Sequence, residues 1–398
     1  MSAPLVVHVA TADMGLRFLL LNQLRAIQAA GYRVRAISSD GPYRAEVEAA
    51  GVPVTPITMH RAITPGGDLH ALARLTRTFR RWRPAIVHTH NPKPGLLGQL
   101  AARIAGVPIV VNTIHGFYFH PGSPPNQRRF YVAMERIAAR CSHAILSQNR
   151  EDMATAVSEG ICPADRISYL GNGIDIARFD RRTLDPERQA AARAAIGIPP
   201  GAAVIGAVGR LVAEKGYREL FQACRELMAE RPALRLLVVG PEEPGKADGL
   251  TAASAAEYGI AERCHFVGLR RDMPELYGLM DVLAHPSHRE GFPRAPMEAA
   301  AMGLPVVACA IRGSREAVFH GTNGLLVPAK QPAALARGLA LLLDAPGLRG
   351  ALGALARRAA EREFDERIVF GRVLATYERL LAQRGGITNE ATHTRGLL

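Results

Sequence analysis

Short apolar, β-branched runs alternate along this chain with longer stretches in which apolar residues recur every three or four positions. The first pattern belongs to buried strands and the second to helices packed on a sheet. LVVHVA (5–10) leads into a helix over about 16–31 that stops at Gly31, and YRVRAIS follows. AIVHTH (85–90) leads into LLGQLAARIAG and PIVVNTIHG, and AILSQN and ISYLG complete a first series. The unit then repeats: AAVIGAVG (202–209), a helix over about 216–230, LRLLVVG (234–240), CHFVG, DVLAHPS, a helix over 295–302 and PVVACA. This alternation predicts an α/β fold with parallel sheets in two doubly wound, Rossmann-like halves.

The polar stretch 171–203, which contains Pro and Gly, lies between the two series and sets the boundary. It gives an N-terminal domain over 1–172 and a C-terminal domain over 173–365. The segment ALARRAAEREFDERIVFGRVLATYERLLAQ reads as one long or broken helix; its part over about 366–384 is assigned to the first domain, and 385–398 to a flexible tail. Ligands of open α/β sheets collect at the carboxyl ends of the strands, so two such domains in series are expected to enclose a central cleft.

Charge narrows the partners. The formal net charge is +13, and all but four of the 49 basic residues are arginine. Such a balance suits nucleic acid, an anionic membrane surface or phosphorylated substrates. Nucleic acid is set aside, because the arginines are dispersed and an aromatic content of 6% offers no stacking platform. GxGxxG is absent after the first strand and after 203–208, which argues against a Rossmann dehydrogenase. The five cysteines are scattered and lack metal-ligand spacing, which fits a reducing, cytoplasmic setting. MSAPLVVHVATADM reads as a first strand and not a signal peptide, and no apolar run reaches the ~18 residues of a spanning helix.

Two stretches carry chemistry. In GRLVAEKG (209–216), Arg210 and Lys215 stand between a strand and a helix, where they either hold a diphosphate or are two solvated cations of a surface loop. In HPSHREGFPRAPMEAAAMGLPVV (285–307), Glu290 sits in a Gly/Pro loop and Glu298 in the first turn of a short helix, with Pro296 near its start and Gly303 as its C-cap. Gly291 lets the backbone approach a ligand, and the amides around Gly291, Phe292 and Arg294 can point at anionic oxygens. Acceptors for hydroxyls beside donors for phosphates suit a sugar nucleotide. Complementing the helix dipole would explain Glu298 alone, not the assembly.

These residues resemble a known family. E-G-F-P-x(4)-E, with GRLVAEKG upstream, GNGID at the boundary, RGSREAVFHGTNGLLVP downstream and VHTHNPKPGLLG and NTIHGFYFH in the first half, is similar to the retaining GT-B glycosyltransferases of family 4. The resemblance implies a GT-B fold and a nucleotide-sugar donor, UDP-linked, carrying a hexose or N-acetylhexosamine. Glu298 would accept bonds from the ribose hydroxyls, and Glu290 would face the donor sugar without acting as nucleophile. Gly291, Phe292, Pro293 and Arg294 would contact sugar and phosphate, Arg210 and Lys215 the departing diphosphate, and Leu269 and Arg270 the base. Asn323, Gly324 and Leu325 are assigned to structure. His115 in TIHGF is similar to the family's active-site histidine; His88 and His90 also end a strand and are rivals for a place at the substrate. The loop TADMG keeps only Gly15 of the family's Gly-Gly form.

No D-x-D pair occurs, so neither a metal nor another cofactor is expected. Retention with front-face attack follows from the resemblance. The acceptor is expected to be a glycan on a polyprenyl diphosphate, in surface polysaccharide synthesis by a bacterial enzyme lying on the inner face of the plasma membrane. Arg128 and Arg129 in FYFHPGSPPNQRRFYVAMERIAARC (117–141) are the candidates for the lipid phosphates. HALARLTRTFRRWRP (70–84) reads either as an interfacial helix or as a surface helix with its apolar stripe on its own sheet. A nucleotide-sugar epimerase of the same architecture is the alternative.

Overall fold

A computed structural model describes residues 3–394 apart from 61, 91 and 121, with side chains described up to 384. The chain divides into two compact units, Met1–Gly171 with Arg367–Leu398, and Asn172–Glu366.

Among the described residues the first unit holds a seven-stranded parallel sheet. Its strands are β1 (Leu5–Ala12), β2 (Arg33–Ser39), β3 (Val54–Pro56), β4 (Ile86–His90), β5 (Ile109–Ile114), β6 (Ala144–Ser147) and β7 (Ile167–Tyr169), in the order β3-β2-β1-β4-β5-β6-β7. The second unit's sheet has β8 (Val204–Val208), β9 (Arg235–Val239), β10 (Cys264–Phe266), β11 (Val282–His285), β12 (Val306–Cys309) and β13 (Gly324–Val327), in the order β10-β9-β8-β11-β12-β13. In both sheets the strand order reverses beside the first strand, between β1 and β4 and between β8 and β11. Doubly wound sheets open a crevice there, at the carboxyl ends of the strands.

Each sheet is buried on both faces because its strand side chains alternate between two cores. Val6 and Ala10 of β1 join Leu24, Ile27, Val369, Val373 and Tyr377, whereas Val7 and Val9 join Leu75, Phe79 and Leu97. Each buried aliphatic side chain contributes ~1.5–3 kcal/mol. The helix Pro65–Trp82 contributes Ala71, Leu75 and Phe79 to that second core, so its apolar stripe lies on its own sheet; the interfacial alternative for 70–84 is not adopted.

Two sequence expectations change, and one pair of alternatives is decided. TADMG is not a loop: β1 runs to Ala12, helix starts at Asp13, and a π-helical stretch Leu16–Leu20 leads into Leu21–Ala29. The buried Asp13 carboxylate closes this start, accepting from Met14 N (2.8 Å) and Tyr43 N (2.6 Å). The terminal helical segment is broken, with Pro346–Glu363 and Glu366–Thr394 separated where Asp365 bridges to Ile174. The second of these helices continues to Thr394, through most of the span read as a tail; 395–398 lie outside the described residues.

Candidate functional site

In the second unit, the loops following β8 and β11 come together at the reversal of strand order. Lys215, closing the turn Ala213–Lys215 after β8, donates from Nζ to Glu290 Oε1 at 2.5 Å. His285, the last residue of β11, brings Nε2 to 3.3 Å from the same oxygen. Burial alone would raise the Glu290 carboxyl, but the charge of Lys215 and the bond from His285 outweigh it and hold the group well below the usual carboxylate range. Glu290 is therefore a largely buried, ionised acceptor. The two loops can approach because Gly216 has φ +75°, and a Cβ there would stand 2.2 Å from Pro286 O. Further ties run from His288 Nε2 to Glu219 Oε1 (2.9 Å) and from Arg289 Nε to Glu214 Oε1 (2.7 Å).

Glu298 lies on the helix Arg294–Ala301 as its fifth residue, so it is not in the first turn, and a helix-dipole role does not account for it. Its Oε2 accepts from Tyr277 Oη at 3.0 Å, and Arg294 Nε lies 3.5 Å from Oε1. Burial, with the nearby Glu298 charge, pushes the Tyr277 phenol well above its ordinary value, so it remains a donor. Pro293 is extended at the helix entrance. Phe292 buries its ring against Phe364, 6.1 Å between centroids, and its carbonyl accepts from Asn172 Nδ2 at 3.0 Å. Half-buried Gly291 lies between this anchor and Glu290.

Arg210 is not drawn to Glu290: its Nη1 pairs with Glu243 Oε2 at 2.7 Å. Both cations expected to meet a diphosphate are thus paired within the unit. Leu269 is 63% exposed beyond β10, next to an Arg270–Asp272 ion pair. Asn323 ties the Ala317–Asn323 turn together, taking Phe319 N at 2.6 Å and giving Nδ2 to Ala317 O at 2.9 Å.

Sequence reasoning missed four members of this site. Asn172 and Gly313 were quoted only within GNGID and RGSRE; a Cβ on Gly313 would come within 2.6 Å of Glu290 O. Tyr277 and His285 gave no signal beyond ending a helical and an apolar run.

In the first unit, half-buried His115 follows β5, and its Nε2 lies 3.1 Å from Nδ1 of the buried His90. His90 Nε2 lies 2.9 Å from His8 Nδ1. Burial holds His115 down at about 4, against a bond to Gln148 that raises it, and keeps His90 well below its ordinary value. His88 points to Thr113 and Tyr377 instead (2.7 and 2.5 Å). Gly15 is helical and its missing Cβ would meet nothing within 4 Å, so sterics do not call for glycine there. Arg128 is committed to Glu159 in an ion pair, and Arg129 is exposed. Beyond His115, Tyr118, Phe130, Tyr131 and Met134 line an apolar cavity of about 290 Å³, closed on another side by Leu96 and Lys93. Lys93 pairs with Asp68 at 2.6 Å. Among the described residues no single helix is long and apolar enough to cross a membrane.

The profile of the family described as glycosyl transferases group 1 matches residues 188–359, and that of the glycosyl transferase 4-like domain matches 15–173. The capsular polysaccharide biosynthesis glycosyltransferase CapM of Staphylococcus aureus is 26% identical, over 96% of this chain and 98% of its own. A UDP-Gal:α-D-GlcNAc-diphosphoundecaprenol α-1,3-galactosyltransferase of Escherichia coli is 29% identical, over 68% of this chain and 69% of its own. A D-inositol 3-phosphate glycosyltransferase of Jonesia denitrificans is 30% identical, over 92% of this chain and 91% of its own. Among solved structures, Anabaena HepE in complex with UDP and glucose superposes with a TM-score of 0.82 at 21% identity, over 94% of this chain and 100% of its own. The two parallel-sheet, Rossmann-like units are those of the GT-B fold. The chain belongs to the glycosyl transferases group 1 family and is a glycosyltransferase.

Proposed function

We propose that this glycosyltransferase moves a hexose or N-acetylhexosamine from a UDP-sugar to a glycan carried on a polyprenyl diphosphate, with retention and without a metal. The observation that carries the donor side is the Lys215–Glu290 pair at the β8/β11 reversal, with Glu298 held by Tyr277 on the helix that follows. Glu298 accepts from the ribose hydroxyls. Glu290, kept ionised by Lys215 and His285, accepts from hydroxyls of the sugar. Lys215, and Arg210 on exchanging Glu243 for the ligand, offset the charge that develops on the diphosphate as the anomeric bond breaks. Gly291, Pro293 and Arg294 border the sugar and phosphates, and exposed Leu269 is offered to the base. His115 contacts the donor sugar.

The chemistry balances without a covalent intermediate. The acceptor oxygen forms a bond to the anomeric carbon on the face from which the diphosphate departs, and its proton passes to the leaving phosphate oxygen. Glu290 is a poor nucleophile in this arrangement, because its carboxylate is bound up with Lys215 and His285. The donor nucleotide is supported by the UDP bound to HepE and by the UDP-galactose in the name of the Escherichia coli relative, and the acceptor by that relative's diphosphoundecaprenol. The apolar cavity beyond His115 and the net charge of +13 suit a lipid-linked acceptor at the cytoplasmic face of an anionic membrane, with exposed Arg129 towards its phosphates. An epimerase reading has only a shared fold behind it, at 15% identity.

The test is transfer from α-linked UDP-sugars to a short-chain polyprenyl-diphosphate glycan in the presence of EDTA, with the product's anomeric coupling read by NMR. An α linkage formed at full rate is expected; a β linkage, or activity abolished by EDTA, contradicts retention or metal independence.

A further inference from the structure

In a chain whose basic residues are arginine with four exceptions, two of the lysines hold corresponding places. Lys93 follows β4 and Lys215 follows β8, strands that border the reversal of order in their own sheets. Each ammonium is held by a carboxylate from a distant segment, Lys93 by Asp68 at 2.6 Å and Lys215 by Glu290 at 2.5 Å. A guanidinium grips a carboxylate through a rigid fork, whereas an ammonium on a flexible four-carbon stem can swing between acceptors. Lysine at these two places therefore permits exchange between a resident carboxylate and an incoming anion.

The surroundings of Lys93 indicate which anion. It is the second residue of the helix Pro92–Ile104, and its side chain, 12% exposed, stands in the wall of the 290 Å³ cavity. That wall is otherwise mainly apolar or aromatic, with Ile63, Leu96, Leu97, Tyr118, Phe130 and Met134. Ile63, Tyr118 and Phe130 are also exposed, which gives the cavity an apolar mouth. One ammonium beside such walls matches an anionic head joined directly to a hydrocarbon chain. A free sugar would leave the apolar walls unused, and an uncharged lipid would leave Lys93 with Asp68. Arg128 and Arg129 do not line the cavity, and Arg128 is tied to Glu159. Release of Lys93 leaves Asp68 hydrogen-bonded, because its carboxylate also accepts from Thr64 N at 3.1 Å and Thr64 Oγ1 at 3.2 Å. Lys93 donates to Ala62 O as well, so a tie for the segment that carries Ile63 is the competing role.

We propose that Lys93 is a specificity-determining residue for the acceptor: it binds the diphosphate of a polyprenyl-diphosphate acceptor whose first isoprene units enter the apolar cavity. This rests on the reading of the acceptor as lipid-linked, and it names the side chains that recognise the join between lipid and diphosphate. The hydrocarbon walls select a lipid, and the charge-assisted bonds from the ammonium separate a diphosphate from an alcohol on the same chain.

Calorimetric titration of the full chain with farnesyl diphosphate and with farnesol compares the two heads, with UDP at saturation to fill the proposed donor site. The wild type should bind the diphosphate about tenfold more tightly than the alcohol, the scale of one hydrogen bond to a charged group. Lys93→Met should abolish this preference by weakening the diphosphate alone. Asp68→Asn should raise diphosphate affinity about threefold, because Lys93 loses its charged competitor while the amide oxygen can still accept from Thr64. A lysine that only ties the segment would instead make Lys93→Met weaken both ligands equally and give no gain in Asp68→Asn. Either of those results, or a wild type without preference for the diphosphate, would overturn the proposal, and each variant decides if the other does not fold. Transfer to a polyprenyl-diphosphate glycan separates this proposal from the reading beneath it. A wild-type acceptor KM in Lys93→Met would overturn the role of Lys93 and leave the lipid-linked acceptor standing; transfer to lipid-free glycans alone, with no farnesyl diphosphate bound, would remove both.

Discussion

Lys215 and Glu290, 75 positions apart, form a 2.5 Å ion pair that joins the loops after β8 and β11 where the second sheet reverses its strand order. A cation and a carboxylate that could each serve a sugar diphosphate neutralise one another in the ligand-free chain. On the proposed donor reading, a bound diphosphate would share Lys215 with Glu290, which would keep the ammonium close to the leaving group.

Removing Lys215 leaves the Glu290 carboxylate largely buried with only His285 beside it. Lys215→Met is expected to lower unfolding stability by ~3 kcal/mol at neutral pH. Because the folded-state Glu290 carboxyl is depressed, the pair's contribution is fully present above the unfolded carboxyl value and is lost as pH falls through the lower folded one. The gap between wild type and variant should thus be widest at neutral pH and shrink in acid below about 4.3. Urea denaturation from pH 7 to pH 3 reads it; a gap constant with pH would rule out an electrostatic origin.

Asn172 reaches from the boundary segment to the carbonyl of Phe292. Asn172→Ala should destabilise the chain by about 1 kcal/mol, the worth of one hydrogen bond, and loosen the loop that follows Glu290. Hydrogen exchange at Gly291 should speed up in the variant, and exchange as slow as in the wild type would show that the loop does not depend on this bond.

His115 is held at about 4, so it carries charge only in acid. The pH–rate profile should show no limb from this ring between pH 5 and 8. His115→Ala should lower kcat by about a hundredfold, the scale of one positioned catalytic contact, with a much smaller change in donor affinity. A loss confined to KM would move His115 from the reaction to ground-state binding.

The alternation of β-branched runs and helical stretches made the α/β class and both sheets legible, because parallel strands buried on two faces leave few other readings. E-G-F-P-x(4)-E and GRLVAEKG marked both loops of the second unit, since each follows a strand that borders the reversal. What sequence could not show is pairing. Lys215 and Arg210 look alike within GRLVAEKG, yet one meets Glu290 and the other Glu243, a choice made by long-range packing. The start of the helix at Asp13 hid in TADMG because the Asp13 carboxylate accepts from Tyr43 N, 30 positions away. The histidine face was within reach: positions 8, 88 and 90 share parity with their strands' core residues Val6, Ala10 and Ile86.

Flotation with anionic liposomes tests the membrane side. Binding at low salt that weakens as ionic strength rises, and weakens further in Arg129→Ala, is expected of an electrostatic contact. Full transfer to a water-soluble sugar without any flotation would remove the lipid-linked acceptor.

Calorimetric titration of UDP into the wild type and Glu298→Gln tests the donor site most directly. UDP should bind the wild type, and the substitution should weaken it about tenfold, ~1.4 kcal/mol, because Glu298 loses the charge that strengthens its bonds to the ribose while Tyr277 can still hold the amide in place. No binding of UDP, or equal affinity in the two proteins, would contradict a nucleotide-sugar site built on Lys215, Glu290 and Glu298.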